Sequence, residues 1–260
     1  MKPKAFVISL TKIHSSANSS AQVLKKLLEY GFDAQIFEGT YGDDGVKLYK
    51  QDNRRIAKYG IKTETISVEE YKSRFPESKL NQEVGSINIR IELSNDPKIG
   101  KILRPGVIGC FYSHYRLWKL CIELDEPIFI FEDDVIFERE YTPVTWTDIL
   151  MLCTGKSAHE NPKYTDYLYN PPETAEALKL PNTSMPGAVG YGITPAGAKK
   201  LVDTYKEEFL PADTAMNQFV VKLEFHSQLM GRAAVDNDGK ESLTRTNMWG
   251  NFNDYSNCTG

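Results

Sequence analysis

Three consecutive acids, Glu132, Asp133 and Asp134, stand between two apolar β-type runs, Pro127 to Phe131 (PIFIF) and Val135 to Phe137 (VIF). An unpartnered carboxylate carried into a core costs on the order of several kcal/mol. The acids therefore belong at a strand end that a cation or solvent can reach. In open α/β sheets, the crevice beyond the carboxyl ends of the strands is where ligands bind. Alternation along the strand sends Glu132 and Asp134 to one side and Asp133 to the other. Hard oxygen donors there suit Mg²⁺ or Mn²⁺, ions that usually complete their shell with substrate phosphates. One or two of the acids would hold the cation while another grips a ligand hydroxyl. The bland alternative is a solvated acidic turn.

The rest of the chain supplies such a sheet. KAFVISL (Lys4 to Leu10) reads as a buried strand, followed by a polar loop from Thr11 to Ser19. In SAQVLKKLLEYG, residues Val23, Leu24, Leu27 and Leu28 recur at helical spacing and Gly31 supplies the stop. AQIFEGT is a second strand, completing a β-α-β opening and predicting a parallel sheet. Residues 41–103 are less regular and read as a helix followed by loops inserted into one domain spanning residues 1–260. After Gly106 and Gly109, the residues Phe111, Tyr115, Trp118, Cys121 and Ile122 mark a helical face that leads into the acidic strand. GAVGYGI (Gly187 to Ile193) is a further strand. Thr194-Pro195 has the chemistry of a helix start for AGAKKLVDTYKEEF. The tail, residues 247–260, reads as a surface extension.

Composition enters by exclusion. Against 31 basic residues stand 35 acidic ones, a net charge of −4, so no global attraction to nucleic acid or membrane is expected. No apolar run approaches the ~20 residues of a membrane span, and MKPKAFVISL is too short an apolar stretch for a signal peptide. Cys110, Cys121, Cys153 and Cys258 form no C-x-x-C pair, which argues against a zinc cluster or disulfide framework. The expected compartment is the reducing cytoplasm, with the sequons at Asn18, Asn182 and Asn257 unglycosylated.

The stretch GVIGCFYSHYRLWKLCIELDEPIFIFEDDVIF resembles the central signature of glycosyltransferase family 25: a Gly-Cys-x-x-Ser-His helix, an apolar strand and E-D-D. VISL near the start, GAVGYGITPAGAKKLVD and PADTAMNQ extend the resemblance in the family's order. It implies a GT-A-like, Rossmann-type nucleotide-binding α/β domain with a mixed, mostly parallel central sheet, a UDP-sugar donor and Mn²⁺ or Mg²⁺. The family's Asn-Leu-x-x-x-x-x-Arg segment after the first strand is replaced here by SLTKIHSSANSSAQ, where Lys12 and His14 are the basic residues. The insert GTYGDDGVKLYK and the stretch CFYSHYRLW look nearest to versions carried by tailed bacteriophages, which would place the protein in host cytoplasm.

On this resemblance Glu132 and Asp134 are metal ligands, with His226 in LEFHSQL a candidate third; the alternative for His226 is a strand carrying one histidine. Asp134 and Asp213 are the catalytic candidates. Asp213 would bind donor hydroxyls or act as base, against the alternative of a helix N-cap; Asp236 and Asp238 are weaker base candidates. Leu10, Thr11, Ser113, His114, Glu132, Asp133, Gly190 and Tyr191 are expected at the donor. Gly187, Gly190 and Gly192 would allow close backbone approach, or simply tight strand packing.

From Lys47 to Lys62 the basic residues Lys47, Lys50, Arg54, Arg55, Lys58 and Lys62 oppose Asp52 alone. A solvated helix face is the usual meaning of such a run. It also suits a polyanionic acceptor, with Tyr49 and Tyr59 available for stacking and Lys50, Arg54 and Arg55 in contact. The acceptor is read as hydroxymethylated cytosine in phage DNA or as a bacterial lipopolysaccharide or lipo-oligosaccharide, leaning to DNA. Two other classes stay open. A phosphoryl or nucleotidyl transferase lacks its P-loop here; a non-catalytic metal- or sugar-binding protein would show no donor turnover. The sequence leaves the sugar, the stereochemical course and the oligomeric state open.

Overall fold

The computed structural model describes residues 2–56, 61–67, 86–92, 105–155, 162–182 and 184–234. Strand β1 (Lys4–Ser9) is followed by helix α1 (His14–Glu29), β2 (Asp33–Glu38) and α2 (Gly42–Gln51). Short β3 (Arg55–Ile56) and an antiparallel pair, β4 (Ile61–Ser67) with β5 (Ser86–Glu92), precede the long helix α3 (Pro105–Leu124). Then come β6 (Ile128–Phe131), β7 (Val135–Phe137), β8 (Ile149–Thr154), α4 (Pro162–Tyr169), β9 (Ala177–Lys179) and β10 (Gly190–Ile193). The described chain closes with α5 (Pro195–Thr204), β11 (Glu208–Phe209), α6 (Ala212–Ala215), β12 (Leu223–His226) and β13 (Gly231–Ala233).

The main sheet runs β2-β1-β6-β10-β8-β12-β9, with β13 bridging β7 and β8. β1 is parallel to β2 and β6, and β8 is parallel to β12, whereas β10 lies antiparallel between β6 and β8. The sheet is thus mixed and mostly parallel. Alternation builds its two faces. Ala5, Val7, Phe129, Phe131, Leu150 and Leu152 pack with Val23 and Leu27 of α1; Phe6, Ile128, Ile130, Met151, Tyr191 and Ile193 pack with Phe111, Leu117 and Trp118 of α3. With helices on both sides, β6 and β8 are buried at every position, as strands of covered parallel sheets are.

Local devices fix the junctions between these elements. Gly31 ends α1 at φ +83, a left-handed conformation that glycine adopts without steric cost. Gly109 lets α3 meet the loop after β2, because a Cβ there would come within 2.6 Å of the Thr40 carbonyl oxygen. Thr194 caps α5 as its sequence predicts, its Oγ1 accepting from Gly197 N at 3.1 Å.

Three expectations change. The helix read through Phe209 ends at Thr204, and Glu208–Phe209 form β11. The polar stretch after β1 is mostly helix, since α1 begins at His14 with Ser16 and Ser20 on its buried face. The segment expected as helix then loops contains the predicted helix, but also β3 paired with β11 and the β4–β5 ladder. Lys58, Tyr59, Asp236, Asp238, Asn257, Cys258 and the 247–260 tail lie outside the described residues.

Candidate active site

Parallel register brings three strand ends together: Ser9 of β1 sits against Glu38 of β2, and Val7 of β1 against Phe131 of β6. Glu132 N still donates to Val189 O at 2.8 Å, so the chain keeps its extended course as the acids begin. The side chains then diverge. Glu132 turns toward α3, its Oε1 lying 3.3 Å from His114 Nε2 and 3.6 Å from Cys110 Sγ. Asp133 turns toward α1 and accepts a hydrogen bond from Ser16, whose Oγ also accepts from Leu10 N at 2.9 Å. The acids occupy opposite sides of the strand end, as the two-residue period requires.

Asp134 is fixed by its backbone, its carbonyl accepting from Ala234 N at 2.8 Å. Its carboxylate is felt at two thiols, the half-buried Cys110 and the buried Cys153. Burial, then the charges of Glu132, Asp213 and Asp134, push Cys110 well above the ordinary thiol range; burial and then Asp134 push Cys153 up. Asp213, in the short helix α6, approaches from the α3 side. Burial raises its carboxyl; a 2.8 Å hydrogen bond from Thr214 N opposes that, and the charge of Glu132 adds to it. The N-cap of α6 is Pro211, so Asp213 is not the helix cap.

The charges of Glu132, Asp134 and Asp213 all act on the Cys110 thiol, and like charges gathered around one site are electrostatically unfavourable without a cation. Carboxylate oxygens are the donors that Mg²⁺ and Mn²⁺ prefer, so these residues fit the expected ion. Cys110, His114 and Glu132 also bring a sulfur, a nitrogen and an oxygen within 4.8 Å of one another.

Other candidates divide sharply. His226 does not join the acids: Nε2 lies 2.7 Å from Thr142 O and Nδ1 accepts from Gln228 N at 3.0 Å. Both ring nitrogens are taken and burial lowers its pKa, making it a neutral structural histidine rather than a ligand. Ser113 is likewise structural, its buried hydroxyl donating to Gly109 O and accepting from Thr40 N, each at 2.8 Å. Tyr191 is fully buried, its hydroxyl 2.8 Å from His114 Nδ1 and 2.9 Å from Trp118 Nε1. Gly190 answers to packing, because a Cβ there would lie 2.7 Å from Cys153 Sγ. Leu10 and Thr11 follow the carboxyl end of β1, where Thr11 is held by Glu38 through its amide and hydroxyl. Lys12 lies over the Tyr41 ring at 5.4 Å, and His14 is exposed beside Asn18.

The expected basic face loses its centre. Arg54 is buried, donating to Asp52 Oδ2 at 3.0 Å, Tyr112 Oη at 2.9 Å, Glu208 O at 3.1 Å and Tyr205 O, with its guanidinium 4.4 Å from the Tyr115 ring centre. Its donors are committed inside the protein rather than offered along an exposed basic face. Lys47 pairs with Asp44 at 3.0 Å and Arg55 faces Glu208 at 3.5 Å, while Lys50 is exposed. A groove of about 640 Å³ beside Arg54 mixes Arg116, Lys119 and Lys206 with Asp52 and Glu207. Such a surface is not the continuous basic track a DNA backbone asks for.

Two participants escaped sequence reasoning. Ser16 had no signal within its run of serines. Cys110 stood in the Gly-Cys-x-x-Ser-His signature but was given no role at the site.

Comparison with known proteins adds an independent line. The family model described as "Glycosyltransferase family 25 (LPS biosynthesis protein)" matches residues 2–216. A cattle protein named "Probable inactive glycosyltransferase 25 family member 3" is 31% identical over 132 residues, 45% of this chain and 22% of its own. A mimivirus "Procollagen lysyl hydroxylase and glycosyltransferase" is 30% identical over 146 residues, 51% of this chain and 16% of its own. Human "Procollagen galactosyltransferase 2" is 45% identical over 47 residues, 18% and 8% of the two chains. The chain thus spans less than a quarter of the length of these relatives.

Proposed function

The chain belongs to glycosyltransferase family 25, and on that premise we propose that it moves a sugar from a UDP-sugar to an acceptor hydroxyl, with a divalent cation held by Glu132 and Asp134. What supports this reading is that Glu132 and Asp134 directly follow the end of β6, and that their charges and that of Asp213 all act on the Cys110 thiol. When bound, Mn²⁺ or Mg²⁺ would supply Lewis-acid stabilisation of the departing diphosphate. Glu132 and Asp134 present the carboxylates for it. Ser16 ties Asp133 to the β1–α1 turn, where Leu10 and Thr11 border the donor and Asp133 is positioned for a ribose or sugar hydroxyl. Asp213, biased toward holding a proton by burial and by Glu132, is the base we assign to the acceptor hydroxyl.

For the acceptor, the proposal moves from DNA to a saccharide. Burial of Arg54 removes the middle of the basic face on which the DNA reading rested, and the matching family is described by lipopolysaccharide biosynthesis. The test is UDP release from a panel of UDP-sugars with Mn²⁺, by wild type and by Asp134→Asn. Wild-type release that the variant loses supports the proposal. No release by wild type across the panel favours a non-catalytic metal- or sugar-binding protein, and a relative carrying "inactive" in its name makes that outcome concrete.

A further inference from the structure

Cys110, His114 and Glu132 sit close enough to suggest a three-ligand metal site. The hydrogen bonds around them argue for something else. Trp118 Nε1–H can only donate, and it does so to the Tyr191 hydroxyl oxygen at 2.9 Å. Tyr191 is fully buried, so its own proton needs an acceptor, and His114 Nδ1 stands 2.8 Å away. If Nδ1 accepts, the imidazole proton is on Nε2, which faces the acceptor-only carboxylate oxygen Glu132 Oε1 at 3.3 Å. Every donor and acceptor in the chain is then satisfied. The opposite tautomer has two faults: it strands the buried Tyr191 proton, and it sets the Nε2 lone pair against a carboxylate oxygen.

We infer that Trp118, Tyr191 and His114 form a directional hydrogen-bonded chain that, with the Cys110 thiol, saturates Oε1 of Glu132 and leaves Oε2 as the oxygen offered to the ligand. Cys110 adds its S–H to the same oxygen at 3.6 Å, and among the described residues no donor reaches Oε2. Cys110 and His114 are thus positioning residues rather than metal ligands or donor contacts. The chain is anchored in the rigid layer between α3 and β10: the His114 and Tyr191 rings stack at 5.7 Å with an interplanar angle of 24°, and Trp118 is fully buried. A carboxylate held from one side in this way meets a cation with its geometry already set, which is how outer partners tune a metal site.

The ligand half of this inference rests on the proposed metal reading; the tautomer does not. Histidine ¹⁵N NMR of the metal-free protein, with the His114 signal assigned among the four histidines by its loss in His114→Gln, tests the chain directly. A His114 ring with its proton on Nε2 and with Nδ1 accepting from Tyr191 is expected. A proton found on Nδ1 overturns it. Mn²⁺ titration followed by electron paramagnetic resonance tests the consequence. Tyr191→Phe keeps the ring and removes the hydroxyl, and is expected to weaken Mn²⁺ about tenfold in a protein that still folds, with a melting temperature lowered by the loss of the Trp118 and His114 hydrogen bonds. Unchanged affinity in Tyr191→Phe, alongside lost binding in Glu132→Gln, overturns the positioning role. Unchanged affinity in Glu132→Gln itself overturns the metal reading instead.

Discussion

Glu132 and Arg54 are charged residues of the same chain carried into aromatic surroundings, and they end in opposite conditions. Arg54 commits its donors inside the protein, to Asp52, Tyr112 and two backbone carbonyls, with Tyr115 beneath its guanidinium. Glu132 is gripped at one oxygen by Cys110 and His114, and among the described residues its other oxygen receives no donor. The difference separates a structural charge from the one we propose to be functional. Burial alone does not mark a site; bonding capacity that the protein positions and then leaves unused does.

The largest effect that bears on this contrast is on turnover. Asp134→Asn is expected to lower sugar transfer by at least ~10²-fold while leaving the melting temperature in place, as measured by UDP release and calorimetry. A fully active variant would remove the functional half of the contrast. Arg54→Ala should do the reverse, costing about 3 kcal/mol of stability in urea unfolding, because it strands the Tyr205 and Glu208 carbonyls and removes the guanidinium packed over Tyr115, with Mn²⁺ affinity unchanged. An Arg54→Ala protein as stable as wild type would show that the buried cation was not structural.

His226 offers a smaller test of the same idea. Burial depresses its pKa below the ordinary histidine value, so the native state excludes a proton that the unfolded chain accepts below pH ~6.5. Its contribution is present above that pH and is lost as pH falls toward the native pKa. Urea unfolding at pH 7.5 and 5.5 should therefore show a steeper loss in wild type than in His226→Gln. Equal losses would mean that another group governs the acid limb. The smallest effect is expected from Lys50→Ala with Arg55→Ala: both residues are exposed, so stability should shift by no more than about 0.5 kcal/mol and saccharide transfer should hold. A large drop in transfer would restore the basic face as an acceptor contact.

Much of the sheet was legible because its signals are local. The apolar runs KAFVISL and IFIF are β1 and β6, the Val23–Leu27 spacing is the buried stripe of α1, and the Thr194-Pro195 start opens α5. The helix starting at His14 was not, because serines and an asparagine fill its first turns and its cap, Ile13, has no capping side chain. Alternation correctly sent Glu132 and Asp133 to opposite sides, since that arises from strand geometry alone. What sequence could not supply was partnership across long separations. Nothing in LEFHSQL announces that Thr142 and Gln228 occupy both nitrogens of His226. Nothing in the basic run announces that Arg54 turns inward to Tyr112 and Tyr205, respectively 58 and 151 residues away. Ser16 becomes informative only once α1 is laid beside Asp133.

The proposed metal site is best probed by an anomalous difference map from crystals soaked with Mn²⁺ and UDP. A single manganese peak is expected, bridging the carboxylates of Glu132 and Asp134, with the UDP diphosphate on its open side. Density for UDP and manganese elsewhere, with both of those carboxylates bare, would contradict the assignment.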